Sequence, residues 1–200
     1  MSRVICGITM SIDGFVAGAN QSEQNPFGDV PPVLLHRWMF DEPEKHAAEL
    51  AELSSVAGAY IMGRNMYGPA GDQYDQSWKG WWGDDPPFHA PVFVLTHKSR
   101  APIPMEGGTA FTFVTEGVRA ALRQAQAAAG DKPIAIAGGA DVVNQYLAAQ
   151  VIDELWLHIV PVTIGKGPQL FENVPNLRLE PISWGGTSLV THIKYRVIKE

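Results

Sequence analysis

"IAIAGGADVVNQYL", residues 134–147, is the stretch on which the reading of this chain turns. A short apolar run of strand type ends in Gly138 and Gly139, and a helix-like pattern resumes at once at Ala140. Glycine is entropically expensive inside regular structure. A doublet belongs where the backbone takes a path closed to side chains or lets a ligand approach the main chain. The strand-Gly-Gly-helix order therefore predicts a parallel α/β unit with a site at the carboxyl end of its strand.

The same grammar extends on both sides. "RVICGITM" predicts a strand over 3–10, followed by a loop marked by Asp13-Gly14 and Gly18 to Asn20. In "DEPEKHAAELAEL", Asp41 is read as a helix cap, with Pro43 in the first turn and Glu44 completing a capping box. "AYIMG" is a short buried strand stopping at Gly63 and Arg64, and "VFVLT" and "AFTFV" are two more. Thr115 is expected to cap the helix "EGVRAALRQAQAAAG", closed by Gly130, and the helix after the glycine doublet is expected over 140–149. After Gln150 the runs "DELWLHIVPVTIG", "LRLEPISWGG" and "TSLVTHIKYRVI" are of β type with no helix between them. Alternating strands and helices followed by a terminal β-meander predict one α/β domain over 1–200, its sheet mostly parallel with antiparallel C-terminal edge strands.

Composition narrows the function. The chain has 200 residues, 46% hydrophobic and 18% charged, with a formal net charge of −6 and no basic cluster, which argues against nucleic acid as a partner. Cys6 stands alone, so no internal disulfide forms, no apolar run is long enough to span a bilayer, and "MSRVICGITM" lacks the marks of a signal peptide. A cytoplasmic setting is the expectation. The histidines at 36, 46, 89, 97, 158 and 192 are scattered, without HExxH spacing, so no metal site is expected. No GxSxG elbow is present, and "IGKGPQLF" lacks the GK[ST] ending of a phosphate loop and reads as a hairpin turn.

Four strand tails carry chemistry: "ITMSIDG", "IMGRNMYG", "VLTHKSR" and "IAGGAD". Ligands of open α/β sheets bind beyond the carboxyl ends of strands. Gly138, Gly139 and Ala140, with Asp141 and Val142 in the first helical turn, would face main-chain N–H groups and a helix dipole toward a pyrophosphate. Arg64 offers paired donors, and Lys98, Ser99 and Arg100 suit a further monoester such as the 2′-phosphate of NADPH, favouring NADPH over NADH. Between Pro69 and Pro91 the period dissolves into a loop rich in Gly, Asp, Pro and tryptophan. Such a stretch is a binding loop or lid, or its tryptophans cover the sheet or a dimer contact. On the first reading Trp82, Asp84, Phe88 and His89 are the substrate-side residues. Asp13 is a further candidate there, although an Asp-Gly pair is also a common turn.

"TMSIDGFVAG", "IMGRNMYG", "PVFVLTH", "IAGGADVVNQYL" and "DELWLHIVPVTIGKGPQLF" occur in this order along the chain. On these motifs the sequence resembles the dihydrofolate reductase-like superfamily, in the branch similar to the C-terminal reductase domain of the bifunctional riboflavin biosynthesis protein. The resemblance implies a three-layer α/β fold and bound NADPH. It implies Thr9, Val16 and Gly18 around the nicotinamide, Gly63, Arg64 and Asn65 at the phosphates, and Thr96, His97 and Lys98 at the adenosine ribose and its 2′-phosphate. It also implies a cis peptide between Gly138 and Gly139, and a homodimer formed through the late strands. The nearest named activity is reduction of 5-amino-6-(5-phosphoribosylamino)uracil. A pterin or carbonyl reductase of the same fold, or a module that only binds or senses NADPH, are the alternatives. One departure bears on substrate: "PPVLLHRWMF", where dihydrofolate reductases place a pterin-binding carboxylate, contains no acid.

Overall fold

In the computed structural model, which describes residues 2–69 and 77–199, strand β1 (Val4–Ser11) splits its side chains by alternation. Val4, Cys6, Ile8 and Met10 enter the main core on one face, while Ile5, Gly7 and Thr9 point to the other. The side chains of Ser54 and Ser55 lie outside the description. Eight further strands complete one sheet: β2 (Ala59–Gly63), β3 (Pro91–Leu95), β4 (Ile103–Pro104), β5 (Ala110–Val114), β6 (Ile134–Gly138), β7 (Glu154–Val160), β8 (Arg178–Gly186) and β9 (Thr191–Ile198). Their order is β4-β5-β3-β2-β6-β1-β7-β9-β8. The six strands from β5 to β7 run parallel, while β4 at one edge and β9 and β8 at the other join through antiparallel pairs. This is the mixed, mostly parallel sheet that the sequence predicts.

Among the described residues five α-helices flank it: α1 (Arg37–Asp41), α2 (Ala47–Ser55), α3 (Arg64–Tyr67), α4 (Val118–Ala129) and α5 (Ala140–Ala148). Helices α4 and α5 bury Ala121, Ala125, Val143 and Leu147 against Ile61, Ile134 and Ile136 on one face. On the other, Tyr67, Trp78, Trp82 and Phe88 cover Val92, Val94 and Phe111, and α1 packs Trp38 with Leu35 and Val160. The sheet is thus the middle of three layers.

Three local expectations are corrected. Asp41 is not a helix cap but the last residue of α1, paired to Arg37 at 2.9 Å. The residue before a proline avoids the helical region, so Glu42 (φ −137°, ψ 45°) breaks the helix, and a 3-10 turn, Pro43–His46, intervenes before α2. Thr115 does not cap α4. The cap position is Gly117, whose φ of 85° is open to glycine, while Glu116 accepts from the Thr115 N–H. The C-terminal strands are not a meander, because β9 lies between β7 and β8 and pairs with both. The stretch 161–177, "IGKGPQLF" included, is therefore a long connection rather than a hairpin, and it folds back over the 12–17 loop through Val16 N–H to Pro168 O (3.0 Å) and Leu170 N–H to Gly14 O (2.8 Å).

Candidate active site

β6 lies between β1 and β2, although it follows both by many residues, so the connections on its two sides leave in opposite directions. At such a switch point the strand ends splay open and leave a crevice. Here the crevice is a cavity of about 1060 Å³, above the roughly 300–1,000 Å³ usual for one small ligand. Thr9, Val16, Gly63, Arg64, Asn65, Thr96, His97, Gly138, Gly139, Ala140, Asp141 and Val142 all line it. The four strand tails thus meet on one rim.

The backbone explains why. The Gly138–Gly139 peptide is cis, and Gly138 has φ of 129°. A Cβ added to Gly139 would meet nothing within 4 Å, so the main chain there faces open space at the start of α5. At the end of β2 a Cβ on Gly63 would come 2.9 Å from Val142 Cγ2, and glycine is what lets β2 and α5 close on each other. Gly117 and Val118 bring the start of α4 to the same rim. The positive ends of α4 and α5 therefore border one cavity, an arrangement that favours an anion. Arg64 opens α3 at this rim, and its guanidinium donates to Pro69 O and contacts Asn65 Oδ1 at 3.4 Å.

Not every residue singled out in the sequence reaches the cavity. Gly18 does not line it; its N–H donates to Phe27 O (2.9 Å), and an added Cβ would lie 3.1 Å from Asp29 N, so it serves loop packing beside Ala17, which does line the cavity. Lys98 stands just beyond the lining, its N–H held by Thr96 Oγ1 at 3.2 Å. Arg100 lies over the Phe113 ring and donates to the Tyr67 hydroxyl at 3.2 Å. On the substrate side Trp82 and Phe88 line the cavity, whereas Asp13, Asp84 and His89 do not. The Asp13 carboxylate accepts from Ser11 Oγ and from the N–H groups of Ile164 and Gly165 (2.7 Å for Gly165), and these bonds, led by that of Ser11, hold its pKa down. His89 sits at φ 44° with Nδ1 3.0 Å from Gly107 O, and the carbonyl of Asp84 accepts from Glu106 N–H. The tryptophans divide their roles: Trp78 exchanges hydrogen bonds with Tyr67 and covers the sheet, while Trp81 and Trp82 face the cavity. Residues 70–76 of that loop lie outside the described residues.

The sequence reading missed His36, a lining residue that packs on Phe27 at 5.0 Å and whose pKa is lowered by burial. It also missed the gathering of three histidines it took as scattered. The antiparallel register sets His158 of β7 opposite His192 of β9, with Nδ1 atoms 2.7 Å apart, and His192 Nε2 lies 2.9 Å from His46 Nδ1. All three rings are buried around Trp38. Burial first, then the neighbouring cations and imidazoles, pushes the His158 pKa down to about 3. His46, Glu49 and His192 each offer a ligand atom within 4.8 Å of the others. The facing nitrogens of the two histidines, however, are already spent on each other, and a chain of imidazole nitrogen contacts from His158 through His192 to His46 accounts for the cluster.

A three-layer α/β domain with its cleft at the switch point, bordered by helix starts and a glycine doublet, has the architecture of the dihydrofolate reductase-like reductases. The profile of the RibD C-terminal domain family matches residues 2–191, and the chain belongs to that family. A Bacillus subtilis (strain 168) protein described as uncharacterized, YwjB, is 36% identical over 84 residues, which is 40% of this chain and 48% of that protein, so the alignment spans about half of the curated relative. Among solved structures, a candidate riboflavin biosynthesis protein from Shewanella sp. PV-4 superposes with a TM-score of 0.66 over 100% of both chains at 19% identity. A pyrimidine reductase-like protein from Corynebacterium diphtheriae gives 0.59 at 17% identity over 100% of this chain and 92% of its own. The family is that of the RibD C-terminal domain, and the fold is the one shared with these solved structures. Among the described residues no helix is long and apolar enough to cross a membrane.

Proposed function

We propose that this chain is an NADPH-dependent reductase of a small flat acceptor, working as a homodimer in the cytoplasm. The observation that carries the reading is the convergence of Gly63–Asn65, Thr96–His97 and Gly138–Val142 on one cavity whose near end is Thr9 and Val16. The residues present fit the cofactor. The starts of α4 and α5 and the Arg64 guanidinium suit its pyrophosphate, and the open space before Gly139 admits it to the main chain. Thr96 and His97, with Lys98 beside them, suit the adenosine end and its 2′-phosphate.

When bound, NADPH supplies the hydride; the protein's part is to hold, orient and keep water out. Thr9, 8% exposed at the end of β1, and Val16 would set the nicotinamide against the inner part of the cavity. Trp82 and Phe88, packed edge to face at 5.0 Å, would shield the acceptor from solvent. The proton that completes the reduction comes from water. Reduction of 5-amino-6-(5-phosphoribosylamino)uracil in riboflavin biosynthesis is the named activity nearest by resemblance. Consumption of NADPH at 340 nm, followed with pyrimidine, pterin and quinone acceptors in turn, tests the reading. Saturable, acceptor-dependent oxidation is expected, with NADPH preferred to NADH; binding of NADPH without turnover of any acceptor would reduce the protein to a cofactor-binding module.

A further inference from the structure

Helix α2 lends the cavity Leu50, Glu52 and Leu53, but a second group of side chains around it stays outside the cavity: His46, Glu49 and His192. His46 precedes α2 and Glu49 lies three positions on, in its first turn, so the two share a face of the helix. That face meets β9. One turn further along α2, Glu52 is ion-paired to Lys194 of β9; Glu49 stands in the same relation to His192, two positions before Lys194 on the same side of the strand. Of the charges that act on His192, that of Glu49 is the largest. Half-buried, Glu49 nevertheless has no hydrogen bond or ion pair among the described residues.

The two imidazoles complete the group. His46 and His192 are 1% and 5% exposed, and Nδ1 of the first and Nε2 of the second converge at 2.9 Å, each a lone-pair donor once its ring's proton sits on the other nitrogen. A proton between them holds the contact in the imidazole chain described above, and protons and metal ions compete for the same lone pairs. Donors around a tetrahedral ion with bonds of about 2.0–2.1 Å stand about 3.3 Å apart, so the rings need part by only a few tenths of an ångström. The remaining nitrogens already have the outer partners that orient metal-binding histidines. His192 Nδ1 faces His158 Nδ1 at 2.7 Å. His46 Nε2 faces Thr187 Oγ1 at 3.4 Å and Glu42 Oε2 at 3.8 Å, a buried carboxylate oxygen with no hydrogen bond of ordinary length.

We propose that His46 Nδ1, Glu49 and His192 Nε2 bind one divalent transition ion of the zinc type, with water in the fourth position, and that the ion ties α2 to β9 beside the cavity. Two imidazoles and one carboxylate suit such an ion better than magnesium or calcium, which take oxygen ligands. On binding, His192 carries its proton on Nδ1 toward His158, and His46 carries its own on Nε2 toward Glu42. The charge of the ion meets the Glu49 carboxylate that lacks a bonded cation. None of the three ligands lines the cavity, so the role is structural and stands independently of the reductase reading.

The test uses the whole chain without a histidine tag, stripped with a chelator and titrated with Co2+ and then with Zn2+. Expected are one Co2+ per chain with the strong visible absorption of a four-coordinate site, loss of that absorption when Zn2+ is added, and a Tm that rises with either ion. Glu49→Gln removes a ligand charge from a side chain with no bonded partner, so it is expected to fold as the wild type does and to weaken Zn2+ binding at least about tenfold. Absence of saturable binding by the wild type, the weak absorption of an octahedral Co2+ ion, or undiminished Zn2+ affinity in Glu49→Gln would each overturn the site.

Discussion

Arg64 sits where β2 gives way to α3, with Gly63 before it and Asn65 after it, all on the cavity rim. Its charge is the lining's only guanidinium or ammonium among the described residues, so an anionic cofactor should depend on it. Arg64→Ala is expected to weaken NADPH binding by roughly 1.5–3 kcal/mol, the range of a hydrogen bond to a charged group, in a fluorescence titration. An unchanged dissociation constant would take Arg64 out of the site. Asp13 makes the opposite case. Its carboxylate holds the 164–165 turn and Ser11, so Asp13→Asn is expected to lower Tm in calorimetry, and the depressed pKa means that this support is present above the ordinary carboxylate range and fades as pH falls through it. What the sequence showed at this scale were residues at strand ends, where position alone implies a role: Gly63 to Asn65, Thr96, His97 and Gly138 to Val142 all line the cavity. Asp13, Asp84 and His89 were chosen by residue type, and nothing in a linear chain reveals that the Asp13 carboxylate meets backbone N–H groups about 150 positions away.

Among the elements, the pairing of β7 with β9 makes stability depend on pH, because it locks His158 and His192 together beneath α1. Both pKa values are lowered, His158 to about 3, with burial as the leading cause. Above the ordinary histidine pKa of roughly 6.5 both folded and unfolded chains hold these rings neutral. Below it the unfolded chain takes up protons that the folded chain refuses, so stability is present above pH 6.5 and is lost as pH falls toward 3. For His158 the slope is about 1 kcal/mol per pH unit in that window, and Tm measured from pH 7 to 5 is expected to fall accordingly. His158→Gln should flatten the slope; the same slope in the variant would assign the acid sensitivity elsewhere. The longer strands and helices α2, α4 and α5 were readable from apolar period, and the closing of α4 at Gly130 (φ 59°) from its glycine, whereas the short α1, α3 and β4 were not. The order of the last three strands was not, since hydrophobic runs name strands without naming neighbours, and β9 takes the place beside β7 that a meander would give to β8.

For the whole molecule, the sheet leaves one long edge open. β8 is exposed along nearly all its length, with Trp184 76% and Ile182 42% exposed, a liability that an isolated domain would have to blunt. The proposed homodimer covers this edge. Sedimentation is expected to give a dimer, and Trp184→Glu to shift it toward monomer; a wild-type monomer would refute the dimer without touching the site. The fold class was legible because one local event, a strand ending in two glycines ahead of a helix, repeats a rule that holds for the whole sheet. The interior of the cavity was not, because its floor joins Gly7, Ala137 and Trp156 from three strands that are adjacent only after folding. The central claim is that the rim of the sheet holds one NADPH, and Trp81 and Trp82 in the cavity wall provide its reporter. Titration of the protein with NADPH, exciting tryptophan and observing quenching with energy transfer to the dihydronicotinamide, is expected to saturate at one equivalent per chain. Linear, unsaturable quenching indistinguishable from that of free tryptophan would contradict it.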